Sequence, residues 1–205
     1  MNELLLATKN PGKLRELQEI AAPLPLLWRS LAEFPHVPDA LETGATFADN
    51  ARLKALHYSA ATGLPTLADD SGLEVDYLGG APGVHSARYA GPQQDSAANI
   101  RKLLAALAGV PPQQRTARFR CSMAFAQPGE ILAESTGLLE GRIADAPRGA
   151  GGFGYDPVFV VSELGLTAAE LTPQQKHAIS HRGQALRAML PLIEQWLRAT
   201  GKYRE

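Results

Sequence analysis

A single cysteine, Cys121, occurs in 205 residues. An intrachain disulfide is therefore excluded, and so is a metal site built from several thiolates. Long apolar runs are also missing. No stretch approaches the roughly 20 residues that a membrane-spanning helix needs, and Met1-Asn2-Glu3 lacks the basic start of a signal peptide. A cytoplasmic protein with no membrane partner is expected. Nor is positive charge in excess. Lys and Arg number 20 against 21 Asp and Glu, a net charge of -1. No broad basic field is available to grip long nucleic acid, and aromatics, 6% of the chain, are few for stacking along a single strand. A small anion is still a fitting ligand, because a local cluster of donors binds phosphate whatever the overall charge.

What the chain does have is apolar material for a core, 45% of its residues. Its length suits one domain over residues 1–205, with room for two lobes. Leu4 to Ala7 reads as a short buried strand. The turn Lys9-Asn10-Pro11-Gly12 follows, then a helix from about Lys13 to Ala22. Leu24 to Leu27 suits an edge strand. Thr46 and Asp49 form a variant capping box opening a helix that runs to Thr62, and Gly63 and Pro65 end it. Thr66 to Ala68 is a strand delivering Asp69-Asp70-Ser71-Gly72, read as a turn, with Leu73 to Val75 beyond it. Asp95 or Ser96 caps a helix carrying Ile100, Leu103, Leu104 and Leu107. Arg118 to Ala126 and Ile131 to Leu138 pair as a hairpin around Pro128-Gly129. Pro157 to Val161 is a further strand, and Gln184 to Ala199 an amphipathic closing helix. Helices and strands alternate, with one antiparallel pair. The expected class is α/β with a mixed sheet.

Four constellations carry chemistry. In Thr8-Lys9-Asn10-Pro11-Gly12-Lys13, backbone N–H groups at a helix start, two neutral donors and a lysine suit phosphate. The pattern is not a Walker A loop. In Asp69-Asp70-Ser71-Gly72, two carboxylates leaving an extended strand point in opposite directions, and one of them, with Glu42, suits magnesium. In Gly151-Gly152-Phe153-Gly154-Tyr155-Asp156-Pro157, glycines allow close backbone approach, and Phe153 can offer its face to a base. In Lys176-His177-Ala178-Ile179-Ser180-His181-Arg182-Gly183, Arg and His supply planar donors. Asn50 and Lys54 lie one helical turn apart and share a face with His57. Taken singly, each pattern is as readily a turn, a core plug or a solvated face. Cys121, in an apolar strand, reads as a small buried hydrophobe.

The order of the patterns is more specific than any one of them. Thr8-x-Asn10-x-x-Lys13 comes first, then Glu42-Thr43-Gly44-x-Thr46-Phe47-x-x-Asn50-Ala51 and Ala68-Asp69-Asp70-Ser71-Gly72-Leu73. Gly79-Gly80-Ala81-Pro82-Gly83 with Ser86-Ala87-Arg88-Tyr89, the Gly151–Pro157 loop and Lys176-x-x-x-Ser180-His181-Arg182-Gly183 follow. Together they resemble the inosine/xanthosine triphosphate pyrophosphatase family over nearly the whole chain. The resemblance implies an elongated mixed β-sheet flanked by helices, two lobes with a central substrate cleft, and a homodimer. It implies Mg2+ and hydrolysis of ITP, dITP and XTP to monophosphate and pyrophosphate. By motif, Thr8, Lys9, Asn10, Pro11, Gly12 and Lys13 cradle the triphosphate, although Lys9 holds a variable position. Lys54 is a further phosphate contact. Glu42 and Asp70 serve the metal, with Asp70 as general base, and Ser71 touches the substrate. Phe153, Gly154, Tyr155 and Asp156 close over the base, and Lys176, His181 and Arg182 contact it. The rival readings are a pyrophosphatase for pyrimidine or modified nucleotides, a nucleotide sensor or binding module without catalysis, and a single-strand nucleic-acid binder, which the charge and the few aromatics disfavour. The base-side residues speak against the first, and the Glu42 and Asp70 pair against the second.

Overall fold

The computed structural model describes residues 2–21 and 26–201. Met1, Ala22 and Leu24, named in the expectations above, lie outside the described residues, as do residues 23, 25 and 202–205. Among the described residues the chain forms six strands in one sheet, in the order β2-β1-β3-β4-β5-β6. The strands are β1 (Asn2–Leu6), β2 (Leu26–Ser30), β3 (Thr66–Val75), β4 (Thr116–Gln127), β5 (Glu130–Ile143) and β6 (Phe159–Val161). β1 runs parallel to both β2 and β3, pairing Leu6 with Ser30 and with Leu67. β5 and β6 are antiparallel. The sheet is mixed, as expected. The α-helices are α1 (Pro11–Ala21), α2 (Phe47–Thr62), α3 (Ser96–Ala106), α4 (Pro173–Ile179) and α5 (His181–Ala199).

The chain divides into two compact units. The first comprises Met1–Asp70, Cys121–Gly137 and Arg182–Glu205; the second comprises Ser71–Arg120 and Leu138–His181. In the first, strand alternation sorts the core into two layers. Leu4, Leu6, Leu67, Cys121, Met123 and Phe125 pack against Leu17 and Ala21 of α1 and Leu186, Met189, Ile193 and Leu197 of α5. The residues in between, Leu5, Ala7, Ala68, Ala124 and Ala126, pack against Ala51, Ala55 and Tyr58 of α2. The second unit has one core, in which Ile100, Leu103 and Leu107 of α3 meet Leu73, Val75, Phe119 and Phe159.

Local chemistry explains most boundaries. Thr46 Oγ1 accepts from Asp49 N and the Asp49 carboxylate accepts from Thr46 N, a closed capping box. Gly63 ends α2 with φ 70°, the left-handed cap that glycine adopts without strain. The hairpin strands are longer than expected, and Gly129 (φ 85°) makes their turn. Pro157 sits in a 3-10 turn, so β6 begins only at Phe159. The last helix starts at His181, three residues before the expected Gln184, and tolerates Pro191 in its interior.

The Asp69-Asp70-Ser71-Gly72 turn is corrected. β3 runs unbroken from Thr66 to Val75. Gly72 is there for close packing, since a Cβ would lie 2.3 Å from Ser86 Oγ. Both carboxylates stay extended because buried cations satisfy them.

Candidate active site

Asp69 and Asp70 leave the same strand towards opposite layers. Asp69 follows Leu67 into the layer of α1 and α5. Its Oδ2 lies 2.8 Å from Lys13 Nζ and 3.5 Å from Arg182 Nε. Arg182 also donates from Nη1 to Glu16 Oε2, a buried pair joining α5 to α1. Four charges of alternating sign thus lie together, three of them buried and Lys13 half-buried. Burial works against an ionised Asp69, but Lys13 and Arg182 overcome it and hold the carboxyl well below the usual carboxylate range. Burial also opposes the Arg182 charge, yet Asp69 and Glu16 raise its pKa. Cys121, below this cluster, is fully buried, and desolvation pushes its thiol up to about 12. It is an inert core residue, as expected.

Asp70 follows Ala68 into the layer of α2. Lys54 Nζ donates to its Oδ1 at 3.0 Å and Asn50 Nδ2 to its Oδ2 at 3.2 Å. The Lys54 ammonium also lies 3.2 Å from Glu42 Oε1. Asn50 is wholly buried, and its Oδ1 accepts from Gly44 N at 2.8 Å. That bond fixes the amide orientation and ties the loop carrying Glu42 to the helix that holds Asp70. Gly44 makes the approach feasible, because a Cβ there would lie 2.7 Å from Asn50 Oδ1. Burial raises the Asp70 pKa, with Lys54 offsetting it only in part. Burial opposes the Lys54 charge too, but Asp70, Asp69 and Glu42 together raise its pKa. His57, one turn on from Lys54 along α2, meets Pro38 O through Nε2 at 2.8 Å.

Glu42 and Asp70 therefore converge on one cation, the Lys54 ammonium. Among the described residues no cluster of three His, Cys, Asp or Glu side chains could hold a metal. Two carboxylates fit magnesium, which commonly takes one or two from a protein and fills its remaining positions with water and phosphate oxygens.

The loop before α1 is self-capped. Asn10 Oδ1 accepts from Gly12 N and Lys13 N at 2.9 and 3.1 Å, and Thr8 Oγ1 accepts from Asn10 N. Pro11 sits at the first helical position, where its missing N–H costs nothing. Thr8 is buried, while Lys9 is exposed and pairs with Asp39.

In the second unit, the glycine-rich loop is organised around Asp156. Its buried Oδ2 accepts from Phe153 N at 2.8 Å and Lys176 Nζ at 2.7 Å. A Cβ on Gly152 would fall 2.1 Å from the same oxygen, so glycine is required there. The Lys176 ammonium lies 4.7 Å from the Phe153 ring centroid, a cation–π contact. Gly154 has φ 61°. Tyr155 is a core residue whose hydroxyl donates to Ser86 O at 2.9 Å. Ser71 is half-buried on β3. His181 is buried and stacks on Phe119, with ring centroids 4.9 Å apart.

Each unit thus gathers its own share of the expected residues: Lys13 and Arg182 at Asp69, Glu42 and Lys54 at Asp70, Phe153 and Lys176 at Asp156. Glu16 and the bridging role of Asn50 were missed. Glu16 carries no motif signal. Asn50 lies in a quoted motif, but its two hydrogen bonds become visible only in three dimensions.

The Ham1 family model matches residues 4–192. A dITP/XTP pyrophosphatase of Geobacillus kaustophilus is 54% identical over 98% of this chain and 97% of its own length. One of Bacillus subtilis is 50% identical over 95% and 98%. The solved structure of a HAM1 protein from Coxiella burnetii superposes with a TM-score of 0.86 at 46% identity, covering 95% of this chain and all of that one.

Proposed function

The chain belongs to the Ham1 family, and we propose that it hydrolyses dITP, ITP and XTP to the nucleoside monophosphate and pyrophosphate. It is a nucleoside triphosphate pyrophosphatase, a hydrolase of nucleotide metabolism. The observation that carries the chemistry is the convergence of Glu42 and Asp70 on a single cation.

In this reading Glu42 and Asp70 hold magnesium, which supplies positive charge against the triphosphate and lowers the pKa of water. Asp70 orients a water and takes its proton during attack on the α-phosphorus. Asn50 holds the other Asp70 oxygen, so the accepting carboxylate does not rotate. Lys13, Lys54 and the loop from Thr8 to Gly12 neutralise the phosphates, most of all as charge grows on the departing pyrophosphate. Ser71 touches the substrate. Phe153 to Asp156, with Lys176, His181 and Arg182, receive the base. A single catalytic domain over residues 1–205, an elongated outline with a substrate cleft, a homodimer and a cytoplasmic location belong to the same proposal. No helix among the described residues is long and apolar enough to cross a membrane.

The test is a nucleotide panel scored separately for pyrophosphate and orthophosphate, with magnesium present or chelated. Inosine triphosphate should give pyrophosphate and monophosphate only when magnesium is present. Accumulating diphosphate, in a preparation free of other phosphatases, would overturn the reading.

A further inference from the structure

We propose that the Lys54 ammonium is an exchangeable counter-ion at the point where Glu42 and Asp70 converge, so that a divalent cation binds well only together with a nucleotide whose phosphates take Lys54 over. The inference rests on the metal role proposed for those two carboxylates.

The two oxygens of Asp70 are held differently. Oδ2 is held by Asn50, which is wholly buried and locked by Gly44 N–H behind it. Oδ1 is held by the tip of a lysine. The base of that lysine is anchored, since its helix packs through Ala51 and Ala55 into the core, but its four-carbon stem leaves the ammonium free to swing. The same ammonium reaches Glu42 at 3.2 Å, so it touches both carboxylates at once.

A magnesium ion takes oxygen ligands at about 2.0–2.1 Å. It would claim the same oxygens, beside a like charge whose side chain is only 10% exposed. The two cations are therefore rivals. Metal alone must send a buried ammonium away from two carboxylates with no new partner for it. Metal arriving with a triphosphate brings anionic oxygens to receive that ammonium, and the exchange then conserves its pairing. By linkage the coupling is reciprocal, and the nucleotide also binds better with the metal present.

The experiment uses Mn2+ as probe and the full chain without nucleotide, reading free Mn2+ by electron paramagnetic resonance. Lys54→Met keeps the stem length and its apolar contacts but removes the charge. It should bind Mn2+ at least about tenfold more tightly than wild type, and Mn2+ should raise its melting temperature more. With the α,β-methylene analogue of inosine triphosphate present, Asp70→Asn should bind Mn2+ more weakly than wild type. Calorimetry with the α,β-methylene analogue of inosine triphosphate should find that Mn2+ strengthens nucleotide binding more in wild type than in Lys54→Met. Circular dichroism checks the fold, and Lys54→Gln replaces Lys54→Met if the latter does not fold. Mn2+ affinity unchanged or lower in the lysine variant, with Asp70→Asn still weakened, would overturn the counter-ion role alone. Equal Mn2+ binding by Asp70→Asn and wild type with the analogue present would overturn the metal pair and this inference with it.

Discussion

Asp69 and Asp70 are neighbours of the same residue type on one strand, yet they live in opposite electrostatic settings. Asp69 is shut between Lys13 and Arg182, and its carboxyl sits well below the usual range. Asp70 has Lys54 and Asn50 as partners, and burial lifts its carboxyl above the ordinary value. The difference lies in how many cations share each group and how closed the site is, not in the residue. A carboxylate held ionised by one buried and one half-buried cation suits architecture. One with a raised pKa, a single ammonium and a second carboxylate nearby suits chemistry.

The largest expected effect tests the chemical side. Asp70→Asn keeps the shape and the Asn50 contact region but removes the charge, so turnover of inosine triphosphate should fall by about 10²–10⁴-fold while the protein still melts cooperatively. Pyrophosphate release and thermal melting measure the two parts.

Asp69→Asn should reverse that profile and cost stability first, by about 3–5 kcal/mol, because it leaves the buried Arg182 and the half-buried Lys13 without their carboxylate. The pH dependence follows from the sign of the shift. A depressed folded-state pKa contributes stability that is complete above the unfolded value of about 3.9 and is lost as the pH falls through the folded value. The stability gap between wild type and Asp69→Asn should therefore be full at pH 7 and shrink below about pH 4. Urea unfolding across that range measures it, and a gap constant with pH would detach Asp69 from its cations.

Arg182→Ala is intermediate. It frees Glu16 and Asp69 from their shared cation, and it also removes the donor proposed to read a 6-carbonyl on the base. The ratio of kcat/KM for inosine over adenosine triphosphate should narrow by about tenfold or more, while the inosine-to-guanosine ratio changes little. An unchanged inosine-to-adenosine ratio would leave Arg182 on the architectural side with Asp69. The smallest effect belongs to the exposed Arg52 and Glu134 pair, where Arg52→Ala should leave the melting temperature without a measurable shift.

Much of this division was legible in the chain itself. The mixed α/β order, the Thr46–Gly63 helix with its two caps, and the opposite directions of Asp69 and Asp70 all follow from local chemistry and strand period. The turn expected at Asp69-Asp70-Ser71-Gly72 did not form, because Asp, Ser and Gly are turn formers only where nothing distant competes. Here Lys13, Lys54 and Arg182 satisfy the carboxylates, and Ser86 fills the space beside Gly72. Those partners lie from 14 to over 100 positions away in sequence, beyond the reach of any local pattern. Glu16 was illegible for the same reason, since its partner Arg182 is 166 residues distant. The capping of the Thr8–Lys13 loop by Asn10 was readable only in part. The helix start was evident, but not that one side-chain oxygen would occupy two of its N–H groups.

The unbroken course of β3 turns parity into a chemical constraint. Side chains on a strand change sides with every residue, so the identity of each layer depends on whether a position is odd or even. Adding or deleting a single residue between Thr66 and Asp69 would present Asp70 to α1 and α5 and turn Asp69 towards α2. The composition would barely change and every ionisable group would remain, yet the carboxylate proposed to react and its neighbour would have traded partners. For this chain, tolerance to insertion is therefore a question of arithmetic modulo two along one short stretch, and only changes of an even number of residues leave the chemistry on its own side.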